Sequence, residues 1–127
     1  MLADWFEDKF NFDFEANALW ANFLDDFEEP DKELIRVFSH IINVHHLWIR
    51  RIANSPIESA AWDIFDSRYL NRLNQQNFQE TQDFLANYAE DTLISYTTTE
   101  GEKREELSSS LLYHILNHST HHRGQLA

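Results

Sequence analysis

Apolar residues recur every three or four positions through most of the chain, which is the spacing of one face of an α-helix. The pattern first appears between residues 3 and about 27, where Asn17 is the polar member of an apolar row. The apolar members are Phe6, Phe10, Phe14, Ala21 and Leu24. We expect Asn17 to be a buried amide that bonds to a neighbouring helix or caps a backbone group, and the acidic residues on the other face to be solvated.

A second helix is predicted from residue 32 to about residue 54. Asp31 is a suitable N-cap for this helix, and Asn54-Ser55-Pro56 stops it. Two adjoining apolar stripes run along it, Leu34, Phe38, Ile42, Ile49 and Ile52 in one, and Val37, Ile41, Val44 and Trp48 in the other. A helix with such a wide apolar surface usually contacts two neighbours, as in a helix bundle.

The second half of the chain adds two more helices. Residues 55–72 show no sustained period and are predicted to be a packed connection with one helical turn. A third helix is predicted over residues 73–91, with inward positions at Phe78, Gln82, Leu85 and either Tyr88 or Ala89. Residues 93–101 are rich in β-branched and aromatic residues and predict a short extended strand or hairpin turn before the last helix. The pattern therefore predicts a single all-α domain over residues 1–127, a four-helix bundle with a short extended segment before its last helix.

The last helix carries four of the seven histidines. His114, His118 and His122 repeat every four residues, so they share one helical face, which Leu107, Leu111 and Ile115 make apolar. His121 points about 80° away from that face. A single histidine on an apolar face is usually a hydrogen-bonded core residue, but several stacked imidazoles need something to satisfy their nitrogens, and a metal ion does so. Spacing alone leaves both interpretations open.

A third metal ligand would come from the second helix, where three histidines are available. By periodicity His45 is the most buried of them, His40 lies at the edge of a stripe, and His46 lies to the side. The spacing does not choose between His40 and His45.

Composition narrows the possible partners. The 127 residues include 22 acidic and 10 basic ones, and the formal charge of −12 argues against binding to nucleic-acid phosphates. There is no cysteine, which excludes disulfides, thiolate ligands and a protein thiol nucleophile. No leader opens the sequence and no apolar run is long enough for a bilayer, so we expect a cytoplasmic protein with no membrane partner.

The segment from Asn117 to Gln125 reads Asn-His-Ser-Thr-His-His-Arg-Gly-Gln and resembles the NH-x-x-x-HRGQ block at the C-terminus of DinB-like (DinB/YfiT-like) proteins. A histidine eight residues before Trp48 is similar to the same family's pattern in its second helix. Ala16-Asn17 and the segment from Ser95 to Gly101 are similar to weaker family features. The resemblance implies a four-helix bundle of up-down-down-up topology.

The resemblance also implies a site for a divalent metal ion. Matched residue by residue, the ligands are His40, His118 and His122. His114, Asn17 and His45 become candidates for supporting the ligands or lining the pocket. Family members usually continue well past the Gly-Gln pair, whereas this sequence stops at Ala127, so we expect the surface that such a segment would cover to be exposed or covered by another molecule.

The function implied is that of a metal-dependent enzyme of the thiol-transferase or hydrolase type. Three imidazoles suit Zn²⁺ or Ni²⁺. Members of the resembled family include metal-dependent transferases and isomerases that use low-molecular-weight thiols such as bacillithiol or mycothiol, so we expect a small-molecule substrate and a thiol cosubstrate. The sequence identifies no general base. The alternative is a non-enzymatic stress-response or dimerising bundle with a structural or vestigial metal site. A third interpretation is a metal-free helical interaction domain.

A homodimer is expected in each case. Members of the resembled family often pair through helices, and Trp5 and Trp20 are aromatic residues for which one protomer offers no obvious partner.

Overall fold

The computed structural model describes residues 2–127, and the fold is mostly helical. Its elements, in chain order, are α1 (Leu2–Asp25), α2 (Lys32–Ala53), a 3₁₀ turn (Ser67–Tyr69), α3 (Leu70–Ala86), β1 (Leu93–Thr97), β2 (Lys103–Leu107) and α4 (Ser108–Leu126). The four predicted helices, the helical turn in the connection and the extended segment before the last helix are therefore confirmed. In the described part of the chain, no helix combines the length and the apolar character that crossing a membrane requires.

Two apolar clusters fill the interior. The first joins the C-terminal part of α1, the N-terminal part of α2, the start of α3 and the end of α4; its buried members are Ala21, Leu24, Ile35, Val37, Phe38, Ile41, Ile42, Leu70 and Leu126. The second joins the opposite parts of the same helices; its buried members are Phe6, Phe10, Ile49, Ile52, Leu85, Leu111, Leu112 and Ile115. Burial of these side chains is the main favourable term in folding.

Between the two clusters every helix contributes buried polar side chains, which we call the polar belt. Its members are Asp13 and Asn17 on α1, Asn43, His45 and His46 on α2, Asn74, Asn77 and Thr81 on α3, and Ser119 on α4. A buried polar group is tolerated when it is hydrogen-bonded. Among the described residues, no buried side-chain nitrogen or oxygen lacks a hydrogen-bond partner, so the belt is fully satisfied.

Within the polar belt, α1 and α4 contact each other through polar side chains. The Asp13 side chain is 3% exposed and forms an ion pair with Arg123, whose side chain is 10% exposed. Nη1 of Arg123 also lies 2.8 Å from Oδ1 of Asn17 and 2.9 Å from Oγ of Ser119. The expectation that Asn17 is a buried amide bonded to another helix is confirmed. The expectation that every acidic residue of α1 is solvated was wrong for Asp13, because Arg123 supplies its counter-charge.

Helix α2 begins and ends as predicted. Asp31 accepts hydrogen bonds from the backbone N–H groups of Glu33 and Leu34, and Asn54 follows the helix in the left-handed conformation with φ of 56°. Its buried surface is wider than the two predicted stripes, because a polar face binds the connection 54–66. Along that face Asn43 donates to the carbonyl of Asp63 at 2.8 Å, and Ser39 Oγ accepts from the Phe65 N–H at 3.1 Å.

Helix α3 differs from its prediction in both position and face. It spans Leu70–Ala86 and not residues 73–91, so Tyr88 and Ala89 lie beyond its end. Its buried positions are Leu70, Asn74, Asn77, Thr81 and Leu85, whereas Phe78 and Gln82 are only partly buried. The cause is hydrogen bonding, since Asn74 donates to the carbonyl of Phe14 and Asn77 to that of Ile42. Apolar periodicity cannot find a buried face that is largely polar.

The extended segment forms an antiparallel hairpin in which Leu93 pairs with Leu107 and Thr97 with Lys103. Gly101 turns the chain with φ of 88°, a conformation that favours glycine. The hairpin leads directly into α4, whose first turn is capped from outside the helix. Asp91 accepts from the N–H of Ser109 at 2.9 Å, a backbone donor that the helix itself leaves free, and from Oγ of Ser108 at 2.7 Å.

Loss of the buried carboxylate should destabilise the protein strongly. In Asp13→Ala the Arg123 guanidinium stays buried without its counter-charge, and we expect the free energy of unfolding to fall by about 3–5 kcal/mol, measured by urea titration. The matched control is Asp8→Ala on the same helix, where the carboxylate is 77% exposed and pairs with exposed Lys9; there the change should stay within about 1 kcal/mol. Equal losses in the two variants would contradict a structural role for the buried pair.

Candidate metal site

Helices α2 and α4 bring three histidines together. His40 is buried on α2, and His118 and His122 are half-buried one turn apart on α4. One ring nitrogen of each lies within 4.8 Å of the other two, and among residues 2–127 this is the group of histidine and carboxylate side chains that could hold a metal ion. Pairs of histidines four residues apart on a helix present their rings to the same side, which is the reason that α4 supplies two of the three.

His40 is oriented by the connection 54–66. Its Nδ1 lies 2.7 Å from the carbonyl oxygen of Ala61, so Nδ1 carries the proton and donates it. The ring also stacks on Trp62 with centroids 3.6 Å apart and planes within 6° of parallel. With Nδ1 engaged, Nε2 of His40 is the free acceptor, and it lies 3.1 Å from Nε2 of His118.

His122 is held in a similar way. Its Nδ1 lies 2.7 Å from Oε1 of Gln125, one turn further along α4. When Nδ1 donates to that amide oxygen, Nε2 is left as the unprotonated nitrogen. The rings of His122 and His118 are 4.3 Å apart, and those of His122 and His40 are 4.9 Å apart. Partners that fix the tautomer of a ligating imidazole are typical of metal sites.

The electrostatics keep the imidazoles of His40 and His118 neutral. Burial lowers the pKa of His118 to about 3, with further lowering by His122 and His40. Burial also lowers the pKa of His40, against the hydrogen bond to the Ala61 carbonyl, which raises it. Neutral imidazole is the form that binds metal ions, so near pH 7 both rings have the protonation state that a ligand needs.

His114 occupies a different environment from the one predicted. Leu111 and Ile115 are buried, but His114 is exposed and Leu107 is 44% exposed. The buried stripe of α4 consists of Ser108, Leu111, Leu112, Ile115, Ser119 and Leu126, so the histidine stripe lies beside the apolar face and not on it. The His114 ring contacts those of Trp48 and His118, with centroid distances of 5.4 and 6.0 Å. His121 is exposed, in agreement with its predicted direction.

The other two histidines of α2 lie outside the group. His45 is buried and its Nε2 donates to Oγ1 of Thr81 at 2.8 Å, while that hydroxyl donates to the carbonyl of Asn77. Burial lowers the pKa of His45 to about 4. His46 accepts a hydrogen bond from the N–H of Glu58 at 2.9 Å. His45 thus belongs to the polar belt, and His46 anchors the connection.

The sequence did not reveal that the connection 54–66 contributes to the site. The Ala61 carbonyl and the Trp62 ring both contact His40, and neither belongs to a periodic pattern. A signal was present in α2, because Ser39, Asn43, His46 and Arg50 follow one another at helical spacing. All four bond to residues of the connection. A polar face of this kind indicates that an irregular segment packs on the helix.

The fold and the site together define a mostly helical protein with a three-histidine group between its second and fourth helices. The DinB family model matches residues 15–127. The chain therefore belongs to the DinB family. No curated protein and no solved structure gives a match to it.

Proposed function

We propose that His40, His118 and His122 bind one divalent metal ion, Zn²⁺ or Ni²⁺, and that the protein is a metal-dependent enzyme of the thiol-transferase or hydrolase type. The observation that carries the proposal is the convergence of three imidazoles from two helices, with one ring nitrogen of each within 4.8 Å of the other two. The family membership supports it.

The donor set suits these ions. Imidazole nitrogen is a common ligand of Zn²⁺ and of Ni²⁺. Tetrahedral coordination at the usual Zn–N distance places ligand nitrogens roughly 3.4 Å apart. The 3.1 Å between the Nε2 atoms of His40 and His118 is close to that value, and the wider limit of 4.8 Å for the group leaves small side-chain rotations to complete the geometry.

Three protein ligands leave a coordination position for a small molecule. A divalent ion in such a site supplies Lewis acidity and lowers the pKa of a water or thiol that it binds. The chain has no cysteine, which fits a low-molecular-weight thiol that arrives as cosubstrate. The Ala61 carbonyl and Gln125 hold the tautomers of His40 and His122, and Trp62 covers one face of the His40 ring.

One observation favours the alternative, a non-enzymatic bundle with a structural or vestigial metal site. The group contains histidines and no carboxylate, so it offers no glutamate or aspartate as general base. The two proposals differ in the coordination sphere, which is open in the enzyme and closed in the structural site.

We infer an up-down-down-up arrangement of the four helices from the two apolar clusters. The N-terminal parts of α1 and α4 belong to the second cluster, whereas the N-terminal parts of α2 and α3 belong to the first. This assignment makes α1 and α4 run one way and α2 and α3 the other, within a single domain.

We infer a homodimer from an exposed stripe on α1. Leu2, Trp5, Lys9, Phe12, Ala16, Leu19 and Phe23 follow one another in alternating steps of three and four residues, which is the spacing of a coiled-coil seam. Phe12 and Leu19 are 70% and 74% exposed, and Trp5 is 44% exposed. Trp20, by contrast, packs against the first apolar cluster and has its partners within the protomer.

The metal content of purified, untagged protein tests the ligand assignment. Plasma mass spectrometry should find roughly one zinc or nickel per chain, lost in His40→Ala, His118→Ala and His122→Ala. The matched controls, His114→Ala on the same stripe and His45→Gln in α2, should keep it. If the wild-type protein contains no stoichiometric metal even after reconstitution, the proposal fails. The histidines would then be packing residues, and the protein would be a binding or dimerisation module.

Substitution with Co²⁺ distinguishes the open site from the closed one. Addition of 2-mercaptoethanol to the Co²⁺-loaded protein should produce the near-ultraviolet absorption of thiolate bound to cobalt, since a free position accepts the thiol. The same titration on His114→Ala serves as control and should give the same change. A spectrum that does not respond to thiol would favour a structural metal ion over an enzyme.

A glutamate on the exposed stripe should prevent pairing, because it would bury a charge without a partner. We expect sedimentation equilibrium to show a dimer for the wild type and a monomer for Phe12→Glu. Asn11→Glu is the matched control, since Asn11 is exposed next to the stripe and the same charge is added; this variant should stay dimeric. A monomeric wild type at high concentration would contradict the proposal.

A further inference from the structure

Arg51, near the end of α2, lies between two aromatic rings. Its guanidinium carbon is 4.8 Å from the ring centroid of Trp48 and 5.0 Å from that of Tyr96 on β1. Nη2 donates one long hydrogen bond of 3.4 Å to the carbonyl of Thr97. An arginine carries five N–H donors, so most of the donor capacity of this half-buried side chain is unused within residues 2–127.

Arg51 also differs in its electrostatics from five of the six other arginines; only Arg72, which is exposed on α3, likewise has no ion pair among the described residues. Five others form ion pairs: Arg36, Arg50, Arg68, Arg104 and Arg123. In the described part of the chain no carboxylate pairs with Arg51, although acidic residues outnumber basic ones by 22 to 10. Burial lowers the pKa of its guanidinium, against Tyr96, which raises it, whereas hydrogen bonds to carboxylates raise the pKa of Arg36 and Arg50.

A chain of ring contacts connects Arg51 to the three-histidine group. Trp48, which Arg51 covers, lies 5.4 Å from His114, and His114 lies 6.0 Å from His118. Along α2, Arg51 follows His40 by eleven residues, a rise of about 16 Å. The surface between α2 and α4 therefore has the histidine group at one end and a cation without a carboxylate partner at the other.

We propose that Arg51, framed by Trp48 and Tyr96, binds a carboxylate of the small molecule whose thiol occupies the three-histidine group. The proposal rests on the proposed function and adds the substrate class, an anionic low-molecular-weight thiol with a carboxylate remote from its sulfur. The planar guanidinium matches a carboxylate in a two-point hydrogen bond, and the flanking rings hold it in place.

The competing role for Arg51 is structural, a clamp between α2 and the hairpin. A clamp would act on stability alone, whereas a recognition site responds to the charge of the ligand. The test therefore varies the ligand charge and the residue together.

Three probes, each titrated into the protein by isothermal titration calorimetry, distinguish binding through the thiol from binding through the carboxylates. Glutathione carries both, glutathione diethyl ester keeps only the thiol, and S-methylglutathione keeps only the carboxylates. We expect the wild type to bind S-methylglutathione, and Arg51→Gln to weaken this binding about tenfold to hundredfold, the loss expected for a hydrogen bond between charged groups. Binding of the ester should be the same in both proteins.

Arg72→Gln is the matched control. Arg72 is exposed on α3, stacks on Tyr69 at 5.1 Å and has no ion pair among those of the described residues. The Arg72→Gln substitution removes the same charge as Arg51→Gln, and the Arg72→Gln variant should bind S-methylglutathione as the wild type does. Equal weakening in both variants, or no saturable binding of S-methylglutathione to the wild type, would overturn the proposal.

Two further measurements distinguish a failure of the Arg51 proposal from a failure of the proposed function and from misfolding of the variant. Binding of S-methylglutathione should persist after the metal is removed with EDTA, because this probe has no free thiol that needs a metal ion. The proposal for Arg51 can therefore be confirmed even when the metal content contradicts the proposed function. If Arg51→Gln does not fold, the Arg51 Nε–H resonance of ¹⁵N-labelled wild type replaces it. That resonance should shift with S-methylglutathione and not with the ester, and an unchanged resonance overturns the proposal.

Discussion

The buried ion pair between Asp13 and Arg123 fixes α4 against α1, and the candidate site depends on it. Arg123 directly follows His122, so the pair sets the rotation of the helix that carries two of the three histidines. A shift of one residue in α4 would turn its side chains by about 100°, break the ion pair and leave the Asp13 carboxylate buried without its counter-charge. Such an error costs several kcal/mol, about the whole margin of stability of a small domain. The polar belt therefore specifies one packing of the helices, whereas the apolar clusters tolerate several.

Helix α2 connects that packing to the chemistry. Its polar face binds the connection 54–66 through Ser39, Asn43 and His46, and the connection in return places the Ala61 carbonyl and Trp62 against His40. An irregular segment without regular hydrogen bonds is usually mobile. Here its backbone groups are held by a rigid helix, so it can orient a side chain with the precision that a metal site requires.

The sequence predicted what depends on local patterns. Apolar periodicity found the four helices, and the four-residue repeat in α4 found the histidine pair. Apolar periodicity failed where the buried side chains are polar. Asp13 has the chemistry of a surface residue, and its partner Arg123 lies in a distant helix that only the folded chain brings near. The inward face of α3 was missed for the same reason, since Asn74 and Asn77 are buried to satisfy backbone carbonyls. The choice of His40 over His45 needed the family resemblance, because both are buried to a similar extent.

The hydrogen bonds of the histidines also determine what would have to change in the candidate site for it to hold an ion. The Ala61 carbonyl and Gln125 hold the proton of His40 and of His122 on Nδ1, which leaves the two Nε2 atoms free as ligands. Because Nε2 of His40 is an acceptor, the contact of 3.1 Å with Nε2 of His118 is a hydrogen bond only when His118 donates. That hydrogen bond places the proton of His118 on Nε2, so His118 would have to carry its proton on Nδ1, or turn its ring, to offer a free nitrogen to a metal ion. Of the three histidines that the proposal assigns as ligands, His40 and His122 would thus be preorganised through their hydrogen bonds, and His118 would be the one that has to rearrange.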